Sequence, residues 1–196
     1  MEKPGKGIWK TVGVVLGKAA LFGAAFFLII VLKAFLGFND NYSTYDMSEY
    51  ESYLDYPLAA REFMPALDDC GEYQEAGLSR RERVQFIFGH QSVCLFLQYS
   101  EEEYARQKEQ IETSYSFFEE PDRSFQDISG SIGGYWVRMV NTGDSYSDMK
   151  EGKFIGFNDE RNAIVYMYYY DDDLDTIMNM DKTLRKYFYV PINWRS

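Results

Sequence analysis

The sequence predicts an α+β domain, with a mainly antiparallel sheet and helices packed on one of its faces, preceded by a single N-terminal transmembrane helix. Three observations predict it. An apolar stretch from Thr11 to Phe38 is interrupted only by Lys18 and Lys33, several short runs rich in aromatic and branched residues are joined by turn-like connections, and two later stretches repeat their apolar residues at helical spacing.

The membrane segment comes first. Its uninterrupted part, Ala19 to Leu32, covers only ~21 Å as a helix, short of the ~30 Å hydrocarbon layer. Both lysines lie near the ends of a longer span and can snorkel to the headgroups, so residues 12–36 fit as the transmembrane helix after a cytoplasmic segment, 1–11. A cleaved signal peptide is the competing reading, but the exit Leu32-Lys33-Ala34-Phe35-Leu36-Gly37-Phe38 lacks a small-x-small cleavage site. Lys3, Lys6 and Lys10 precede the span and an acidic run follows it, which predicts a cytoplasmic N-terminus and an extracytoplasmic domain. Gly13, Gly17, Ala20 and Ala24 lie on one helical stripe and open the possibility of a homodimer through that face.

Charge is uneven along the chain. The net charge is −11, yet residues 1–38 hold five lysines against Glu2, a net +4, which leaves −15 for the rest. A domain so acidic repels nucleic acid and anionic headgroups, so a nucleic-acid function is excluded, while cationic partners stay open.

Residues 37–57 are acidic and rich in tyrosine, with Tyr42, Tyr45, Tyr50, Tyr53 and Tyr56, and read as a solvated linker to a domain at 58–196. Asn41-Tyr42-Ser43 is formally a glycosylation sequon. Pro57 and Pro65 bracket a short helical segment within Leu58 to Asp69. Val84 to Phe88 and Val93 to Tyr99 are strand-like and joined by Gly89-His90-Gln91-Ser92, a hairpin signal. Ser100 followed by Glu103 matches a capping box, opening a helix with Tyr104, Ile111, Tyr115 and Phe118 on one face before Pro121 closes it. Tyr135 to Val140, Phe154 to Phe157 and Ala163 to Tyr170 are the next strands, the last two joined by the turn Asn158 to Asn162. An amphipathic helix from Leu174 to Phe188 ends the series.

Candidate chemistry is sparse. His90 is the one histidine, which excludes His-rich zinc patterns and a triad built on several imidazoles, and it is placed in a turn. Asp171, Asp172, Asp173 and Asp175 form the densest carboxylate cluster, a candidate for a hard cation or an acid/base pair, although capping of the following helix explains them more simply. Ser129 to Gly134 is glycine-rich but has no lysine and no helix after it, so it reads as a loop. Tyr166, Tyr168 and Tyr170 share one strand face, either as an exposed binding surface or packed beneath a helix. Cys70 and Cys94 could close a 25-residue loop worth roughly 3 kcal/mol, or remain buried thiols. Nothing calls for a cofactor.

The stretches Phe63-Met-Pro-Ala-Leu-Asp-Asp-Cys-Gly-Glu-Tyr73 and Ile155 to Asp175 resemble parts of uncharacterised membrane-anchored proteins of Gram-positive bacteria, across about Phe63 to Phe188. The resemblance implies an outer-face location, supplies no catalytic residues, and argues against a disulfide. The function expected is therefore a non-enzymatic, membrane-anchored domain that binds a protein or envelope component. The alternative is an extracytoplasmic hydrolase using the carboxylates Asp171 to Asp173.

Overall fold

Residues Lys6–Leu36 form one continuous helix, α1, in which Gly13–Leu32 has a mean hydropathy of 2.4 and none of its length is buried. It is long and apolar enough to cross a membrane. The computed structural model describes residues 6–36, 40–53, 58–85, 88–120, 126–143, 150–172 and 179–195. The helix belongs to one compact unit, and the sheet with the helices that cover it belongs to another. The stripe of Gly13, Gly17, Ala20 and Ala24 is exposed along α1.

The second unit is a seven-stranded antiparallel sheet. Its strands are β1 (Asp40–Thr44), β2 (Tyr73–Gln85), β3 (Phe88–Tyr99), β4 (Ser129–Ile132), β5 (Tyr135–Met139), β6 (Glu151–Asn158) and β7 (Ala163–Asp171). The spatial order is β1-β2-β3-β7-β6-β5-β4, so β7 is central and pairs with β3 through Cys94 opposite Met167 and with β6 through Phe154 opposite Met167. The helices of this unit are α2 (Tyr50–Tyr53), α3 (Leu58–Phe63), α4 (Glu101–Ser114) and α5 (Met180–Tyr187). The expected class and the antiparallel sheet are thus present.

The cover is two-sided, where the sequence suggested one. Alternate residues of β3 and β7 enter two separate cores. Val93, Leu95, Leu97, Ile164, Tyr166 and Tyr168 pack with Tyr50, Phe63, Tyr104 and Ile111 from α2, α3 and α4. Cys94, Phe96, Val165, Met167 and Tyr169 pack with Met180, Leu184 and Tyr187 of α5 and with Phe188, Val190 and Trp194 beyond it. The reason is visible in β7, whose Ala163 to Tyr169 are all buried: an apolar run without polar alternation needs cover on both faces.

Within the expected linker 37–57, the described residues 40–53 are folded onto the domain. They contain β1, a 3-10 turn at Met47–Glu49 and α2, and Tyr50 is fully buried with its hydroxyl donating to the Pro65 carbonyl at 2.7 Å. Tyr42 is exposed and donates to Glu49 at 2.8 Å. Tyrosines that read as solvated by their acidic neighbours are here tied into the domain edge.

Other boundaries moved for similar reasons. His90 and Gln91 lie inside β3, and the β2–β3 connection falls at residues 86–87, outside the described residues. The charged sequence of β2 hid a 13-residue strand, because most of it flanks the sheet edge. Ser129 to Gly134 is a hairpin, β4 plus a turn with Gly133 and Gly134 at positive φ, rather than a loop. Ser100 caps α4 as expected, accepting from the Glu103 amide at 3.3 Å, but the Glu103 carboxylate turns to Arg106 and Gln107 instead of closing the box. In α5 the cap is Asn179, which accepts from the Lys182 amide at 2.9 Å. The expected helix residues 174–178 lie outside the described residues.

Candidate functional site

Among the concavities of the domain surface, two lie on opposite faces of the sheet. The larger is a cleft of about 600 Å³ between α3 and α4. Pro65 stops α3 after six residues and sends the chain away in an extended step at Ala66, so the short helix leaves part of the sheet face uncovered. Phe63, Ile111, Tyr115 and Tyr166 line the interior, with Phe63 edge-on to Tyr115 at 6.1 Å and to Tyr166 at 6.5 Å. Arg61, Glu62, Asp69, Gln107, Gln110 and Ser114 supply polar groups around them. Gln107 is itself buried and donates to Glu103 at 2.9 Å. Burial raises the Tyr166 and Tyr115 phenols, so both stay neutral and can donate. The described lining contains no histidine and no cysteine.

The smaller is a pocket of about 300 Å³ on the α5 side, at the β1–β2 edge. It is lined by Ser43, Arg81, Arg83, His90, Lys186 and Tyr187, together with Tyr42 and Glu82. Alternation along β2 sends Arg81 and Arg83 to one face and Arg80 and Glu82 to the other, where the latter two form an ion pair. His90 is half-buried and stands edge-on to Tyr187 at 5.7 Å, so the expected turn residue is a packed strand residue. Burial lowers its pKa; Asp171 opposes this, and the cations Lys186, Arg83 and Arg81 reinforce it.

The aspartate cluster does not converge. Asp171 is buried, accepting from the Tyr187 hydroxyl and from Lys186 at 3.3 Å. Asp172 accepts from the Tyr170 hydroxyl at 2.8 Å and from the Gly89 amide at 3.2 Å, locking the end of β7 to β3. Asp173 and Asp175 lie outside the described residues. The two placed aspartates therefore close strand ends; neither caps α5, which begins at Met180. Among the described residues no group of three or more His, Cys, Asp or Glu is placed to hold a metal.

Tyr166 and Tyr168 are core residues and not an exposed surface, and Tyr170 is partly buried against the same core. Tyr168 donates to Glu151 at 2.8 Å, while Tyr166 lines the cleft. Cys70 and Cys94 are free and buried in the cores on opposite faces, which rules out their pairing in this fold. Burial pushes the Cys70 thiol up to about 12 and raises Cys94 as well, so both are inert.

Neither concavity was found from sequence. The cleft is made by residues far apart in the chain, whereas Arg80-Arg81-Glu82-Arg83, dense in arginine within an otherwise acidic region, was a legible signal for the pocket. No protein-family model, curated protein or solved structure matches the chain.

Proposed function

We propose that the chain is a single-pass, membrane-anchored binding module whose sheet domain lies on the extracytoplasmic side and whose α3–α4 cleft takes a short peptide segment of a neighbouring protein. The cleft carries this reading. Its volume falls in the range of ligand sites, and its aromatic interior under a mixed polar rim is the usual composition of such sites. Gln107 and Gln110 offer amides that can both donate to and accept from peptide groups, and the neutral tyrosines offer apolar area with a polar tip. Binding is favoured over hydrolysis because Asp171 and Asp172 are occupied in strand-end contacts away from the cleft. Lys3, Lys6 and Lys10, ahead of the apolar stretch of α1, support the orientation, and the resemblance to anchored Gram-positive proteins supports the compartment.

The test is site-specific photo-crosslinking of the full chain in its native membrane, with the probe placed at Gln110, at Ser114, and at Lys182 on the opposite face. A discrete adduct is expected from Gln110 and Ser114 only, and S114W, which fills the cleft, is expected to abolish the Gln110 adduct without changing the melting temperature. Equal adducts from Lys182, or a Gln110 adduct that survives S114W, would contradict the proposal.

A further inference from the structure

The geometry points to a second site, independent of the cleft: we infer that the pocket framed by Arg81, Arg83, His90 and Lys186 binds a phosphate group. The charge balance argues for it. Arg80 is matched by Glu82 and Lys186 by Asp171, while Arg81 and Arg83 are exposed and lack an ion-pair partner among the described residues. The pocket therefore keeps two uncompensated positive charges in a domain whose overall charge is strongly negative. Left without an anion, the two arginines and Lys186 repel one another, which is a cost with no packing return at exposed side chains.

The donors suit an oxyanion. Two guanidinium forks one strand-repeat apart can each engage phosphate oxygens bidentately, and the Lys186 ammonium, 2.8 Å from the Tyr187 hydroxyl, adds a point charge from α5. Ser43, opposite Arg81 in the β1–β2 register, adds a hydroxyl. His90, between the strand and the helix, gains a proton more readily once an anion sits beside it, because an opposite charge favours the charged imidazole. At about 300 Å³ the pocket has room for a phosphate and the atoms linked to it. The phosphate can come from a soluble ester or from a lipid headgroup. β1, which contributes Ser43, begins four residues after α1 ends in the sequence, so both sources are tested.

His90 is the only histidine, so its ring resonances report on this pocket alone. The full chain in maltoside micelles is titrated by NMR against pH with dimethyl phosphate, with phosphatidylglycerol doped into the micelles, and with sodium chloride at matched ionic strength. The expected result is a rise of the His90 midpoint by about one pH unit with a phosphate diester and not with chloride. A response to dimethyl phosphate identifies a soluble ester as sufficient, and a response to phosphatidylglycerol alone identifies the headgroup; either supports the site. R81Q/R83Q is expected to lose the response and R81K/R83K to retain it, with unchanged melting temperatures showing that both fold. No shift with either diester, an equal shift with chloride, or a shift that persists in R81Q/R83Q would overturn the assignment.

Discussion

On the α5 face of the sheet, edge-to-face pairs such as Phe154 with Phe188 are joined by stacked ones: Tyr169 lies over Tyr187 at 4.3 Å and 5°, Phe154 over Tyr169 at 5.7 Å and 17°, and Phe96 over Trp194 at 5.6 Å and 26°. On the α3–α4 face the rings meet edge to face at 6 Å or more, and a cleft opens between the helices. Glycines let the rings of the α5 face approach the strands closely. A Cβ at Gly77 would fall 2.4 Å from Trp194, and one at Gly152 would fall 2.2 Å from Tyr169, so a side chain at either position would have to displace a packed ring. The α5 face thus stacks its rings beneath the helix, whereas the α3–α4 face leaves a cleft of about 600 Å³ between its helices.

Equal truncations should separate the two faces. Leu184→Ala, at a fully buried α5 position, is expected to cost about 3–5 kcal/mol, and Ile111→Ala, beside the cleft, about 2–3 kcal/mol because water can enter the space it leaves. Urea unfolding of the full chain in micelles measures both, and a larger loss for Ile111→Ala would reverse the contrast. Gly152→Ala comes next, at about 1–3 kcal/mol, since the added methyl must displace Tyr169 from its stack on Tyr187. Loss of near-ultraviolet tyrosine circular dichroism should accompany it. Ser100→Ala, which removes the α4 cap on the open face, should cost ~1 kcal/mol and leave the cleft intact.

The smallest effect is one of pH. His90 has a folded pKa below its ordinary 6.5, so the unfolded chain takes up the proton first as pH falls. The stability it contributes is fully present above 6.5 and is lost as pH drops through the interval down to the folded value. His90→Gln should flatten the stability profile in that interval alone, measured by thermal melts at several pH values in phosphate-free buffer.

How much of this was legible depends on whether the signal was local. The apolar rod of α1, the Ser100 cap, and the β6–β7 hairpin, with Asn162 in the left-handed region at its turn, follow from neighbouring residues and read directly. The two-sided cover was also written in β7, where Ala163 to Tyr169 alternate between large side chains on both faces, yet the tyrosines invited a one-sided reading because their hydroxyls count as polar. Tyr50 was lost among acidic neighbours for the opposite reason, since its burial is decided by Pro65, fifteen residues away. Gln107 in the cleft and Lys186 beside His90 could not be found at all without the fold, because their partners come from other elements. Net charge misled most: −15 over residues 39–196 concealed an arginine pair on one strand face.

Labelling with a membrane-impermeant maleimide on intact cells tests the central claim, an external domain with an accessible cleft on one face and a closed core on the other. The wild-type chain should stay unlabelled, because both native thiols are buried, and should show two free thiols only after denaturation. S114C should label in intact cells, K3C only after the membrane is opened, and L184C only on unfolding. Labelling of K3C in intact cells, or of S114C only after lysis, would contradict the account.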